Sequence, residues 1–208
     1  ESMRDLFRAV PDLAGWFCIT ASEHHTHCWS HRSPASPPTC PRCRQRPPEE
    51  VVAEVIELMR QGTRASRRDA VCIAWNWSWS FYGRHAERRI IRSLPRGVTL
   101  MADFERGGTR RMPDGTPVFV DEYSLGYVGP SPRFRRAIDA AERRGMDVMA
   151  KLQVGTTHEL ATMPNLPLLH HLYTKLRTCE QAGLAGMVAT WNFGNAFSLN
   201  TALVRRMA

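Results

Sequence analysis

Residues 70–75 read AVCIAW, a continuous apolar run that leads directly into the polar and aromatic segment NWSW at 76–79. A strand exposed on one face alternates apolar and polar side chains, whereas a parallel strand covered on both faces is apolar throughout. Similar short runs lie at residues 15–20, 98–102, 147–152 and 186–190. The sequence therefore predicts five buried parallel strands.

Helical patterns separate these strands. Pro47 and Pro48 open an apolar stripe that ends near Gly62, as proline in the first turn and glycine after the last one favour. Ser131 and Pro132 begin a second helix that ends at Gly145. Further helices are predicted at residues 2–9, 84–94, 166–182 and 196–207. Alternating strands and helices indicate an α/β protein with a parallel sheet and right-handed crossovers.

The segments that follow the strands favour a barrel over an open sheet. None is a glycine-rich phosphate turn, which disfavours dinucleotide binding, and polar and aromatic residues lie there instead. A closed barrel has eight strands and about 250 residues. We therefore predict a partial (β/α) TIM-type barrel, with about five parallel strands and flanking helices, as a single domain over residues 1–208. Its open sheet edge is expected to favour a homo-oligomer.

Two long connections are expected to lie on the C-terminal face of this sheet. Residues 21–46 are rich in histidine, cysteine, proline and serine. Residues 104–130 contain a turn signal, Pro113-Asp114-Gly115, which predicts a small hairpin. Loops of this length usually cover a functional site.

The residues after the strands suit a sugar-binding site. Tryptophan rings can pack on pyranose faces, amides and guanidinium groups can bind hydroxyls, and two carboxyl groups can cleave a glycosidic bond by acid and base catalysis. The predicted substrate-binding residues are Trp75, Asn76, Trp77, Arg106, Gln153, His158, Trp191 and Asn192. The structural alternative is that the tryptophans pack under loops, while Asp103 and Glu105 pair with Arg106 or its neighbours.

These segments also resemble a known family. A glutamate followed by a loop with CPRC, then WNWSW, DFERG and TWNFGN after the later strands, resemble a bacterial glycoside hydrolase-like barrel family, in the style of the hexosaminidase and α-glucuronidase barrels. The resemblance implies hydrolysis of a polysaccharide or glycoconjugate. It assigns the general acid to Glu23, and we expect Glu105 or Asp103 to be the second catalytic carboxylate.

The sequence departs from this family pattern at two places. Hexosaminidases that use the substrate's acetamido group carry an Asp-Glu pair where this chain has Ser22-Glu23. Common retaining barrels place a glutamate after the seventh strand, where this chain has Lys151 and Gln153. Other candidates for the second carboxylate are Asp121, Glu122 and Glu159.

A cysteine and histidine cluster lies in residues 24–43. Cys40 and Cys43 have the CxxC spacing that supplies two thiolates to zinc, and Cys28 with His27 or His31 can complete a tetrahedral site. We predict a structural zinc at Cys28, Cys40, Cys43 and His27, and no organic cofactor. A disulfide from Cys28, or free thiols, are the alternatives.

Composition and charge argue against two further classes of protein, nucleic-acid-binding proteins and membrane proteins. The net charge of +8 comes mainly from scattered arginines, so a nucleic-acid partner is not expected, and no apolar run is long enough for a membrane helix. Residues 1–10 carry no signal-peptide pattern, which fits a cytoplasmic protein or one secreted from a longer precursor. The rival functions are a non-catalytic carbohydrate-binding or assembly module and a metal-dependent hydrolase built on the SEHHTHC segment.

Overall fold

The computed structural model of the chain describes residues 1–22, 25–83, 85–155, 163–190 and 196–207. It has a mixed α/β fold whose five-stranded parallel sheet is flanked by helices. The sheet strands are β1 (Gly15–Ile19), β2 (Val71–Trp75), β3 (Thr99–Asp103), β6 (Val148–Lys151) and β7 (Gly186–Val188). Each lies within two residues of its predicted run, so the five parallel strands are confirmed. Their burial is not uniform, because β3 and β6 are mostly buried whereas β1 and β7 are largely half-exposed.

The strands are ordered β1-β2-β3-β6-β7. Neighbouring strands pair in parallel, with Trp16 opposite Cys72 in β1 and β2 and Ala150 opposite Met187 in β6 and β7. Described residues thus supply five of the eight parallel strands that a closed barrel contains. The strand–helix alternation is confirmed, and a complete barrel is not observed.

Six α-helices flank the strands in the described segments, and their bounds lie within three residues of the predicted ones. They are α1 (Ser2–Ala9), α2 (Pro48–Arg64), α3 (Ala86–Ser93), α4 (Pro132–Glu142), α5 (Leu169–Gln181) and α6 (Leu199–Met207). Helix α4 begins after Ser131, whose Oγ accepts the N–H of Phe134 at 3.0 Å. None of these helices has the length and hydrophobicity that crossing a lipid bilayer requires.

The predicted hairpin is also confirmed. Strands β4 (Gly108–Arg111) and β5 (Pro117–Val120) pair antiparallel, with Thr109 opposite Phe119. At the turn between them, Gly115 has a φ of 85°, a left-handed conformation that glycine adopts without strain. The side chain of Asp114 accepts the N–H of Thr116 at 2.9 Å and stabilises the turn.

The chain packs as two compact units. The first comprises Glu1–Met101 and Asp139–Asp147, and its core includes the fully buried Ile56, Ala74 and Ile90. The second comprises Ala102–Ile138 and Val148–Ala208. In its core the rings of Phe104 and Phe134 lie 5.0 Å apart between centroids. Apolar burial of this kind is the main favourable contribution to folding.

Candidate functional site

Two carboxylates of the second unit lie where β3 ends. Asp103 is the last residue of the strand and Glu105 follows two positions later, and both side chains are almost fully buried. Phe104 lies between them and donates its backbone N–H to the carbonyl of Lys151 at 2.8 Å. This backbone contact places the segment after β3 beside the end of β6. The structure therefore brings Asp103 and Glu105 to the carboxyl end of the strands, where α/β proteins bind ligands.

Asp103 is held by an arginine of helix α4. Its Oδ2 accepts a hydrogen bond from Arg133 Nη1 at 2.7 Å, and both side chains are buried. Arg106, which the sequence placed in the substrate site, has its Nη1 4.0 Å from the same oxygen. Asp103 is thus charge-paired in the folded chain, chiefly with a residue 30 positions away.

Glu105 is oriented through one of its two oxygens. Oε1 accepts hydrogen bonds from Lys175 Nζ at 2.8 Å and from the backbone N–H of Gln153 at 2.9 Å. Lys175 also donates to the carbonyl of Ser124 at 2.6 Å. Within the described part of the chain Oε2 accepts no hydrogen bond. One oxygen is therefore fixed and charge-compensated, while the other accepts no hydrogen bond from a described residue.

Lys175 is not among the site residues that the sequence predicts. Helical periodicity places it on α5 without indicating which side chain it meets, and its partner lies 70 positions earlier. One signal was present: Lys151 and Lys175 are the only lysines among 28 basic residues. Both are fully buried, which is rare for lysine and requires compensating partners.

Lys151 and Gln153 extend this cluster at the end of β6. Lys151 Nζ donates to Gln153 Oε1 at 3.1 Å and lies 4.0 Å from the centroid of the Tyr123 ring, a cation–π contact. Burial lowers the pKa of Lys151 from 10.5 to about 8, against the opposing charges of Glu105 and Asp103. Lys151 therefore loses its proton at a lower pH than an ordinary lysine.

In the first unit, Trp75 and Asn76 are both fully buried at the end of β2. The ring of Trp75 packs edge-on against Phe17, with centroids 6.1 Å apart. The amide of Asn76 donates to Glu87 of helix α3. Trp77 is partly exposed and packs edge-on against Phe81 at 5.6 Å. Of these three predicted sugar contacts, Trp77 is therefore the one that presents a surface to solvent.

Four predicted site residues lie outside the described residues: Glu23, His158, Trp191 and Asn192. The second-unit residues that the structure brings together are Asp103, Glu105, Arg106, Lys151, Gln153 and Lys175.

The three predicted cysteine ligands converge. The Sγ atoms of Cys28, Cys40 and Cys43 all lie within 4.8 Å of one another, and all three are free thiols. Thiolates around a tetrahedral zinc, at about 2.3 Å from the metal, lie about 3.8 Å apart. The three sulfur atoms are therefore close enough together to hold a metal ion such as zinc.

Backbone groups support this arrangement. The pKa of the Cys40 thiol is lowered, first by a hydrogen bond from the backbone of Cys43 and then by one from Arg42. The pKa of Cys43 is raised, first by its hydrogen bond with Cys28. Metal binding requires thiolates, and the lowered pKa of Cys40 favours one of them.

His27, the predicted fourth ligand, is not part of this group. Its Nδ1 accepts the backbone N–H of Trp29 at 3.1 Å, and its Nε2 is buried with no hydrogen-bond partner. Burial lowers the pKa of His27 to about 4, opposed by the carbonyl of Thr20. The Trp29 indole N–H is 3.1 Å from the carbonyls of both Cys43 and Arg46 and so connects the two halves of the loop.

Neither models of known protein families nor curated protein sequences match this chain. Its function is therefore inferred from the chemistry of the two clusters.

Proposed function

We propose that the chain is a glycoside hydrolase-like enzyme that acts on a polysaccharide or glycoconjugate, with Glu105 as a catalytic carboxylate. The observation that carries this proposal is the hydrogen bonding of the Glu105 carboxylate. Lys175 and the N–H of Gln153 fix Oε1, and Oε2 accepts no hydrogen bond among the described residues. Enzymes gain rate by holding a reacting group in its productive orientation before the substrate binds.

The ion pair with Lys175 suits Glu105 to the role that an ionised carboxylate takes in glycoside cleavage. Its free oxygen would attack the anomeric carbon or remove a proton from the attacking water. The other role belongs to a protonated acid, which donates its proton to the glycosidic oxygen as the bond to that oxygen breaks. In this proposal Glu23 is the acid, on the strength of the family resemblance.

The neighbours of Glu105 have supporting roles in this proposal. Asp103, whose Oδ2 binds Arg133, positions Arg133 rather than attacking the substrate. Lys151 and the side-chain amide of Gln153, which donates to Thr190 Oγ1 at 3.2 Å, supply polar groups for sugar hydroxyls.

Replacement of Glu105 by glutamine tests this proposal, with Glu142→Gln as the matched control. Glu142 is exposed at the end of α4, and no ion pair or side-chain hydrogen bond joins it to another described residue. With a panel of chromogenic glycosides, E105Q is expected to lose at least about a hundredfold in turnover, the scale of a general base, and to retain binding measured by tryptophan fluorescence. E142Q is expected to keep both.

Two outcomes would contradict the proposal. Wild-type turnover by folded E105Q would remove Glu105 from the chemistry. Saturable oligosaccharide binding by the wild-type chain without bond cleavage would favour the non-catalytic binding module.

We also propose that Cys28, Cys40 and Cys43 bind a structural zinc ion. Their proximity supports this proposal, as does the small apolar content of the surrounding loop. Besides the thiols, that loop is held mainly by polar contacts, such as those of the Trp29 indole and of Ser30 Oγ with the Thr20 carbonyl at 3.2 Å. Zinc would supply the missing stability, as it does in small metal-dependent domains.

A further inference from the structure

A cavity of about 540 Å³ in the first unit lies at the amino ends of strands β2 and β3 and beside the residues that precede β6. Three arginines line it, Arg64 from the end of α2, Arg96 from the loop before β3 and Arg144 from the loop before β6. The two acidic residues of the lining are Asp69 and Asp147. The arginines that line the cavity come before strands β3 and β6 or at the end of α2, whereas the predicted catalytic carboxylates Asp103 and Glu105 lie at the end of β3 or after it.

None of the three arginines forms an ion pair with a carboxylate in the described part of the chain. Arg64 Nε is buried and has no hydrogen-bond partner. Arg144 Nη1 donates to the carbonyls of Ile91 and Leu94, each at 2.7 Å, so its position is fixed while its charge is not neutralised.

The acidic residues compensate only part of this charge. Asp69 interacts electrostatically with Arg64, but its ion pair, at 3.2 Å, is with Arg67, which does not line the cavity. Asp147 makes no ion pair with a described residue, so three guanidinium groups of the lining meet two carboxylates, one of them shared with Arg67. Elsewhere in the chain arginines such as Arg46, Arg60 and Arg133 each meet an acidic partner. The cavity is therefore a concentration of uncompensated positive charge.

Within the cavity lining, the side chain of Arg64 lies close to the loop that carries Arg96. Gly97 adopts a φ of 75° beside Arg96, and a Cβ placed on it would lie 3.8 Å from Arg64 Nη2. The guanidinium of Arg64 thus reaches the loop that carries Arg96. Guanidinium groups bind phosphate and carboxylate oxygens through paired N–H donors, and a buried donor without an acceptor is costly.

We propose that this cavity binds a multiply charged oxyanion, such as a diphosphate group or a phosphorylated small molecule, through Arg64, Arg96 and Arg144. Its volume falls within the range of small-molecule sites, about 300–1,000 Å³, so it can hold more than a single phosphate ion. The ligand would supply acceptors for Arg64 Nε and neutralise the excess charge. This site is independent of the proposed hydrolase activity.

Calorimetric titration with inorganic pyrophosphate at low salt tests this proposal. The wild-type chain is expected to bind one equivalent saturably, and R64Q and R96Q are expected to bind about tenfold or more weakly, since each loses a charge-assisted contact. R143Q is the matched control, because Arg143 is exposed next to Arg144 and does not line the cavity. Its affinity should stay within about twofold of wild type. Thermal unfolding verifies that each variant is folded.

Citrate serves as the second ligand. Tighter binding of pyrophosphate assigns the site to phosphate compounds, and tighter binding of citrate assigns it to polycarboxylates; both results support an oxyanion site. Absence of saturable binding of either ion, or equal weakening in R143Q and R64Q, would overturn the proposal. Because the glycoside assays do not involve these arginines, failure here would leave the proposed hydrolase function intact.

Discussion

The carboxylate of Glu105 and the ammonium of Lys175 lie 2.8 Å apart, and each side chain is only 1% exposed. Removal of two charges from water is unfavourable, and the attraction between them often does no more than offset that cost. The pair is therefore better explained by the orientation it imposes on Glu105 than by a net contribution to stability.

The first prediction concerns this pair. Lys175→Met would leave Glu105 buried without its counter-charge, and we expect the free energy of unfolding to fall by about 3–5 kcal/mol. The double variant E105Q/K175M should be less destabilised than the sum of its single variants, because neither partner is left unpaired. Urea unfolding of the four proteins measures this coupling. Additive effects would show that the contact does not exist in solution.

The second prediction concerns pH. The pKa of Lys151 is about 8 in the folded chain, below its ordinary 10.5, so between these values the unfolded chain binds a proton that the folded chain does not. Stability from this group therefore rises with pH across that window, and the folded chain bears the full cost of the buried charge below pH 8.

Comparison with Lys151→Met isolates this effect. The stability of K151M relative to wild type should be greatest below pH 8 and decline by a few kcal/mol toward pH 10.5, at about 1.4 kcal/mol for each unit of pKa shift. Denaturant unfolding of both proteins at pH 7 and pH 9.5 measures the difference, and other titrating groups cancel. An equal difference at the two pH values would rule out a lowered pKa.

The third prediction concerns the metal. Elemental analysis of the purified chain should find one zinc per chain, and C40S should lose it. Cys72→Ala should retain it, because Cys72 is a buried thiol of β2 outside the cluster. A chelator should lower the unfolding temperature of wild type and C72A but not of C40S. The proposal would be contradicted if the purified protein contained no zinc and added zinc did not change its stability. A disulfide found by mass spectrometry would also contradict it.

The fourth prediction tests whether the Trp29 indole orders the loop that carries the three thiols. Trp29→Phe removes the donor to the carbonyls of Cys43 and Arg46, and should lower both stability, by about 1–3 kcal/mol, and zinc affinity. Trp16→Phe is the matched control, since its indole donates to Thr63 Oγ1 at 2.9 Å, away from the thiols. W16F should lose stability but keep the zinc affinity of wild type. Unchanged zinc affinity in W29F would mean that the indole does not order the site.

The sheet could be predicted because the information for it is local. A run such as AVCIAW reveals a strand of a parallel sheet through its own composition, and Ser131 and Gly145 mark helix ends through hydrogen bonds to adjacent backbone. The cysteine cluster could also be predicted, because the CxxC spacing necessarily brings Cys40 and Cys43 close together. His27 was assigned to that cluster by its position in the chain, and packing gave its ring another partner, the N–H of Trp29.

The strands, the helices, the hairpin turn and the three thiols could all be predicted from the sequence, since most of these features depend on residues a few positions apart. Tertiary structure alone decided that Glu105 meets Lys175, that Asp103 meets Arg133 and that three arginines converge on one cavity. These partners lie tens of residues apart, and a charged side chain carries no mark of which opposite charge it will meet. Only the packing of helices against the sheet selects the partner, because burial penalises every charge that is left without one.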